Sequence, residues 1–154
     1  MSELTAGNPA PEFRLSDQHG NTVCLADFRA RKLLLYFYPK ADTPGCTTQA
    51  CSVRDSLAEL EKHDVAVVGV SPDKPTAQNT FDEKHGLGFP LLADTETDVA
   101  KAYGVWREKV NFGKKYMGIL RSAFLIDENG TVEQAWYKVK PADTVPNVLA
   151  MLRT

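Results

Sequence analysis

Short apolar runs alternate along this chain with segments of helical period, and that alternation leaves few architectures open. Strands are expected at Val23–Leu25, Leu33–Tyr38, Val65–Val70, Ser122–Ile126 and Thr131–Val139. Helices are expected at Pro44–His63, Pro75–His85, Thr95–Tyr103 and around Thr144–Leu152. Strand, helix, strand, helix in this order predicts a βαβ core of the α/β class. Val65–Val70 and Ser122–Ile126 are continuous rather than alternating in apolarity, the pattern of sheet centres covered on both faces. Asp127-Glu128-Asn129-Gly130 reads as a hairpin turn, because Asn-Gly supplies the positive φ angles such turns require. The last two strands should therefore be antiparallel neighbours. The basic segments Arg29, Arg31, Lys32 and Arg107, Lys109, Lys114, Lys115 read as solvated loops.

Length and charge remove several classes of function. With 154 residues the chain is expected to form a single domain with a sizeable core, and 43% hydrophobic with 25% charged residues argues against a disordered or fibrous chain. The longest unbroken apolar run, Leu33–Tyr38, is six residues, where a membrane span needs roughly 20. Residues Met1–Ala10 carry neither a basic patch nor an apolar stretch, so no secretory signal is read there and a cytoplasmic location is expected. A net charge of −2 without a face-long basic cluster speaks against nucleic acid or anionic lipid as a partner. Three cysteines, Cys24, Cys46 and Cys51, are too few and too odd in number for a secreted disulfide scaffold. They remain to be explained as core filling, metal binding or chemistry.

The informative stretch follows the strongest strand: Tyr36-Phe-Tyr-Pro39-Lys-Ala-Asp-Thr43-Pro44-Gly45-Cys46-Thr47-Thr48-Gln49-Ala50-Cys51. Thr43 followed by Pro44 is an N-cap followed by the residue type favoured at the first helical position. Cys46 then takes the third position of the first turn, where its amide has no intrahelical partner and its sulfur lies at the positive end of the helix dipole. Cysteines so placed react as thiolates. Ionisation alone is a modest aid: ~3% of an ordinary thiol is ionised at pH 7, so full ionisation gains at most ~30-fold. A good catalyst must also stabilise charge developing on the group attacked. Candidates for that work are the Thr43 hydroxyl, the Cys46 amide and a nearby cation. Arg121 is the cation, since it opens the otherwise apolar segment Gly118–Ile126, where a guanidinium needs a carboxylate or a developing anion to face it. A structural ion pair is the plainer reading of the same residue.

Cys51 lies five residues beyond Cys46. On an intact helix their Cα atoms would be ~8.7 Å apart on faces separated by ~140°, whereas a disulfide needs about 7 Å or less with converging Cβ vectors. A bond between them requires the first helical turns to unwind. Two small core residues remain an alternative. Zinc is a weaker one, because His19, His63 and His85 form no ligand pair with each other or with cysteine. No Cys-x-x-Cys, Gly-x-Gly-x-x-Gly or Walker loop is present.

Taken in order, these residues resemble the peroxiredoxins, in particular the peroxiredoxin Q or bacterioferritin comigratory protein branch. The resemblance runs over nearly the whole chain. It is carried by Ala10-Pro-Glu-Phe-Arg-Leu, by Tyr36-Phe-Tyr-Pro39 with Thr43-Pro44-Gly45-Cys46-Thr47, by Val68-Val-Gly-Val-Ser71-Pro-Asp, by Phe89-Pro-Leu-Leu-Ala-Asp94 and by Arg121-Ser-Ala-Phe-Leu-Ile-Asp127. It implies a thioredoxin-like fold, a central mixed sheet flanked by helices, and a thiol peroxidase using no metal or bound cofactor. Cys46 matches the peroxidatic cysteine, and Cys51 the resolving cysteine that would form an intramolecular disulfide with it. Pro39 matches a residue that shields the pocket, Thr43 one that bonds peroxide and thiolate, and Arg121 one that steadies the charge. The implied partners are hydrogen peroxide or organic hydroperoxides and thioredoxin as reductant. Gln49 stands where many relatives have glutamate, and Ala123 where threonine is common. Cys24 matches no motif and reads as a buried strand residue.

The leading reading is thus a monomeric or weakly dimeric cytoplasmic peroxidase. A disulfide exchanger acting on proteins is a second reading, and a redox sensor or holdase whose oxidised form exposes apolar surface is a third. Phe112, Tyr116 and Met117, ahead of Arg121, are candidates for favouring organic hydroperoxides.

Overall fold

The computed structural model describes residues 3–153. Its centre is a five-stranded mixed sheet built from β3 (Lys32–Phe37), β4 (Val65–Ser71), β5 (Leu91–Ala93), β8 (Ser122–Ile126) and β9 (Val132–Trp136), in the order β5-β4-β3-β8-β9. β3, β4 and β5 are parallel; β8 runs antiparallel to β3, and β9 antiparallel to β8. Parallel neighbours need crossovers, which α1 (Pro44–Asp55) with α2 (Leu57–Lys62) supplies between β3 and β4, and α3 (Pro75–His85) between β4 and β5. A short hairpin, β1 (Arg14–Ser16) with β2 (Thr22–Cys24), precedes the sheet. Between β5 and β8 come α4 (Asp98–Ala102) and a second hairpin, β6 (Trp106–Asn111) with β7 (Lys114–Ile119); α5 (Thr144–Leu152) closes the chain.

Both faces of the sheet are covered, which is why its strands are apolar throughout. Side chains alternate along β3, so Leu34, Tyr36 and then Tyr38 enter one core with Val53, Leu60, Phe81 and Val148 from the helices. Leu33, Leu35 and Phe37 enter the other with Val99, Tyr103 and Phe124. The α/β class, the mixed sheet and the βαβ core match the expectation. In α1 the buried positions are Cys46, Gln49, Ala50 and Val53, a helical stripe at i, i+3, i+4, i+7. That stripe places the first cysteine on the core side and leaves Cys51 only half-buried.

Several boundaries differ from the sequence reading. The helix expected at Pro44–His63 is broken at Ser56, whose backbone (φ −108°, ψ 3°) leaves the helical region while its amide turns to the Val53 carbonyl at 3.0 Å. The helix at Thr95–Tyr103 shortens to Asp98–Ala102, because Thr97 takes φ 61° and the Asp94 carboxylate bonds the Val99 and Ala100 amides. The last strand ends at Trp136, with Lys138 in the left-handed region two residues on. Leu91–Ala93 is a strand too short to stand out by period. The larger correction concerns Arg107, Lys109, Lys114 and Lys115, which form the β6–β7 hairpin rather than a loop; its two-residue turn is Phe112-Gly113, at φ 51° and 77°.

One close approach inside the sheet makes a measurable demand. A Cβ at Gly69 in β4 would lie 3.0 Å from Tyr36 Cζ and 3.2 Å from Leu91 Cδ2. Gly69→Ala should cost about 1–3 kcal/mol, as overpacking does, and lower the urea midpoint without changing the slope; an unchanged midpoint would contradict this packing.

Candidate active site

The loop after β3 delivers the chain to α1 with Thr43 in extended geometry (φ −89°, ψ 157°) and Pro44 at the first helical position. This is the backbone expected of an N-cap. The side chain departs from the expectation: the Thr43 hydroxyl donates to the Lys40 carbonyl at 2.8 Å and makes no capping bond. The first backbone bond of the helix joins the Thr47 amide to the Thr43 carbonyl at 2.8 Å, so the Cys46 amide lies ahead of the ladder, at the positive end of the dipole. Pro39 is half-buried in the same loop.

Cys46 is only 2% exposed, set against Tyr36, Tyr38 and Ala50. Its polar neighbour is Arg121, in the link between β7 and β8, whose Nη2 donates to Cys46 Sγ at 3.3 Å. The guanidinium reaches the sulfur because residue 45 is glycine: a Cβ there would lie 3.1 Å from Nη2. Arg121 Nη1 donates to the Gln49 side-chain oxygen at 2.6 Å, and the arginine's own carbonyl accepts the Val139 amide at 2.9 Å. Among the described residues Arg121 forms no ion pair with a carboxylate. Its neighbours are a thiol and an amide, so the plainer ion-pair reading is not the one found.

Three further groups complete the electrostatics. Burial pushes the Lys109 ammonium below its ordinary range, the like charge of Arg121 adds to this, and the Cys46 sulfur opposes it. The hairpin therefore brings a second cation towards the site. The Tyr36 hydroxyl is wholly buried with no hydrogen-bond partner among the described residues, and desolvation holds it well above the usual phenol range; burial raises Tyr38 likewise. Both rings stay neutral beside the cysteine.

The sequence singled out Cys46, Cys51, Thr43, Arg121 and Pro39. The structure brings Cys46 and Arg121 into direct contact and carries Cys51 in the same helix, with both thiols free. Gln49 was noted only as a departure from relatives. Its position three residues after Cys46, on the same helical face, was the signal that it would share the site. The Gln49 amide nitrogen also donates to Thr144 Oγ1 at 2.8 Å; Thr144 and Lys109 carry no such local signal, since they arrive from α5 and β6. Cys24 is half-buried rather than buried, with Sγ 3.4 Å from the Asp27 carboxylate. No helix is long and apolar enough to cross a membrane, and no group of three metal-ligating side chains occurs among the described residues.

A buried cysteine at a helix mouth beside an arginine, on a thioredoxin-like sheet, is an arrangement suited to thiol chemistry. Residues 6–135 match the AhpC/TSA family, to which the chain belongs. Within that family it is a peroxiredoxin of the Bcp/PrxQ type. The chain is 48% identical over 150 residues to peroxiredoxin Bcp of Bacillus subtilis, covering 97% of this chain and 96% of that one. Against peroxiredoxin Bcp of Escherichia coli it is 47% identical over 153 residues, covering 99% and 98%. Among solved structures, a cysteine-to-serine mutant of PrxQ from Xylella fastidiosa superposes with a TM-score of 0.93 at 31% identity, covering 99% and 98%. The bacterioferritin comigratory protein of Xanthomonas campestris, studied for its alkyl peroxide reduction activity, gives 0.87 at 38% identity, covering 92% and 90%.

The glycine next to the cysteine sets a test of the site's geometry. Gly45→Ala should leave the fold intact, because the Arg121 tip can move aside, yet it should slow the reaction of Cys46 with hydrogen peroxide severalfold. Stopped-flow tryptophan fluorescence together with thermal unfolding would check this; an unchanged rate would mean that the contact of Arg121 with the sulfur is dispensable.

Proposed function

We propose that Cys46 is the peroxidatic nucleophile of a two-cysteine cycle resolved by Cys51, with thioredoxin as reductant. The observation that carries the reading is the 3.3 Å contact between Arg121 Nη2 and Cys46 Sγ at the mouth of α1. The Cys46 thiolate attacks the terminal oxygen of a hydroperoxide; an S–O bond forms as the O–O bond breaks. The products are a sulfenic acid and water or an alcohol, the oxyanion of the leaving group taking up the proton. The Cys51 thiolate then attacks the sulfenic sulfur, an S–S bond forms, and hydroxide departs as water. Two electrons from a dithiol reductant restore both thiols.

Each remaining residue has a part in this reading. Arg121 and the helix dipole hold negative charge on the sulfur and on the oxygen being attacked. Thr43 would turn its hydroxyl from the Lys40 carbonyl to the bound peroxide, and Pro39 would keep water from the thiolate. Hydrogen peroxide and organic hydroperoxides are the substrates; alkyl peroxide reduction by the Xanthomonas protein supports the organic class. Both cysteines lie in one continuous helix, so resolution demands that its first turns unwind.

Stoichiometric peroxide should remove the mass of two hydrogens from the wild type, with Cys46 and Cys51 joined in peptide maps. Cys51→Ser should instead accumulate a sulfenic acid, and Cys46→Ser should not react. Far-ultraviolet circular dichroism should lose helix on oxidation and regain it on reduction. Both thiols surviving peroxide unchanged would reject the cycle, and failure to consume NADPH in a coupled thioredoxin assay would reject the reductant.

Arg121→Ala should lower the second-order rate with peroxide by about 10²–10³, the usual loss for one fixed donor to a developing oxyanion. Arg121→Lys should recover only part of that rate, since a point charge cannot serve sulfur and Gln49 together.

A further inference from the structure

The loop from Pro39 to Asp42 carries the chain from β3 to the mouth of α1, yet it makes no backbone-to-backbone hydrogen bond among the described residues. Its shape is set from outside. The Ala41 amide donates to Asp73 Oδ2 at 2.7 Å, and Asp73 stands in the link between β4 and α3. The same carboxylate oxygen accepts the Ser71 hydroxyl at 2.7 Å. Ser71 Oγ in turn accepts the Gln78 side-chain nitrogen at 2.8 Å; that nitrogen also donates to the Leu92 carbonyl at 3.0 Å, and the Gln78 oxygen takes the Tyr38 hydroxyl. A circuit of bonds thus leaves the chain at Tyr38 and returns to it at Ala41.

Each bond of the circuit has only one possible direction. The Leu92 carbonyl can only accept, so the Gln78 nitrogen faces it and the Gln78 oxygen is left for the Tyr38 hydroxyl. A carboxylate likewise accepts, so the Ser71 proton goes to Asp73 and a Ser71 lone pair to Gln78. Tyr38, Ser71 and Gln78 are buried and Asp73 is half-buried, and a buried network whose members are all paired holds a single arrangement. What it frames is the surroundings of the cysteine. Tyr38 packs in the same core as Cys46, and the Lys40 carbonyl, inside the circuit, receives the Thr43 hydroxyl at 2.8 Å. Displacing Ala41 would therefore displace Pro39 and Thr43 with it. The loop's other tie, from Asp42 to Lys84 and His85, is an exposed ion pair and weak in water. A backbone amide bonded to a half-buried carboxylate is the stronger hold. We propose that Asp73 is a positioning residue, which fixes the Pro39–Thr43 loop beside Cys46 and with it one wall of the peroxide pocket. The catalytic meaning of this rests on the peroxidase reading above, whereas the hold on the loop can be measured without peroxide.

Amide hydrogen exchange, followed by nuclear magnetic resonance on the reduced protein, reads that hold directly. After correction for intrinsic rates, the wild-type Ala41 amide should exchange about tenfold more slowly, or slower still, than the Lys40 amide beside it. In Asp73→Ala that protection should vanish. The chemistry of Cys46 should then divide: with hydrogen peroxide the variant should react about tenfold more slowly or worse, the cost of misplacing groups that orient the reactants. With iodoacetamide, scored at Cys46 by peptide mapping, it should be no slower, because the contact with Arg121 is untouched and the loop shields the sulfur less. Asp73→Asn, which keeps an oxygen facing the Ala41 amide, should recover most of the protection and most of the peroxide rate. General damage to the fold would slow both reagents alike, and that result would overturn the inference. So would an unprotected Ala41 in the wild type, a measurement that needs no variant to fold, or an unchanged peroxide rate in Asp73→Ala. Protection lost in Asp73→Ala, with a wild type that reduces no peroxide, would sustain the role of Asp73 and defeat the peroxidase reading instead.

Discussion

The structure turns on one contact, between a sulfur almost sealed from solvent and the Arg121 guanidinium. Cys46 shares its core with Tyr36, Tyr38 and Ala50, while the arginine and the open end of α1 bring positive charge to its one polar side. Much of the local sequence serves this contact. Gly45 clears space for the guanidinium, Pro44 starts the helix without an amide that would need a partner, and Gln49 bonds the arginine from the same helix as the cysteine.

The fold's contribution is to bring the two halves of that contact together from distant parts of the chain. Cys46 follows β3 and Arg121 precedes β8, and those strands are antiparallel neighbours at the centre of the sheet, with Phe37 opposite Ser122. The end of one strand and the beginning of the other therefore meet at the same edge. The fully buried, continuous apolarity of both strands is what makes this register hard to shift, because a one-residue slip would exchange two packed cores. Precision at the site is inherited from the middle of the sheet.

What could be read in the sequence follows the same division between local and long-range causes. The helix mouth was legible because Thr43, Pro44 and Cys46 state their roles within four positions. The three central strands were legible because burial on both faces removes polar residues from them. Arg121 stood out as a charge in an apolar segment, yet nothing local distinguished a salt bridge from the contact with Cys46 that the fold makes. The β6–β7 hairpin escaped notice because charged residues line both strands and no buried stripe marks its period. Gln49 was visible as a helical neighbour of Cys46, but its second partner, Thr144, comes from the last helix, and only the folded chain brings them together.

The interruption at Ser56 gives α1 a boundary that a single long helix would not have. Arg54, just before it, donates to the His85 carbonyl at 2.6 Å, fastening the far end of α1 to the end of α3. Unravelling that begins at Pro44 thus runs into an anchored stop after a few turns. The backbone freedom released in the proposed cycle, about 1–2 kcal/mol for each residue set loose, is capped by design of the chain, and the second crossover helix can keep its grip on the core while the first one opens and closes like a short flap.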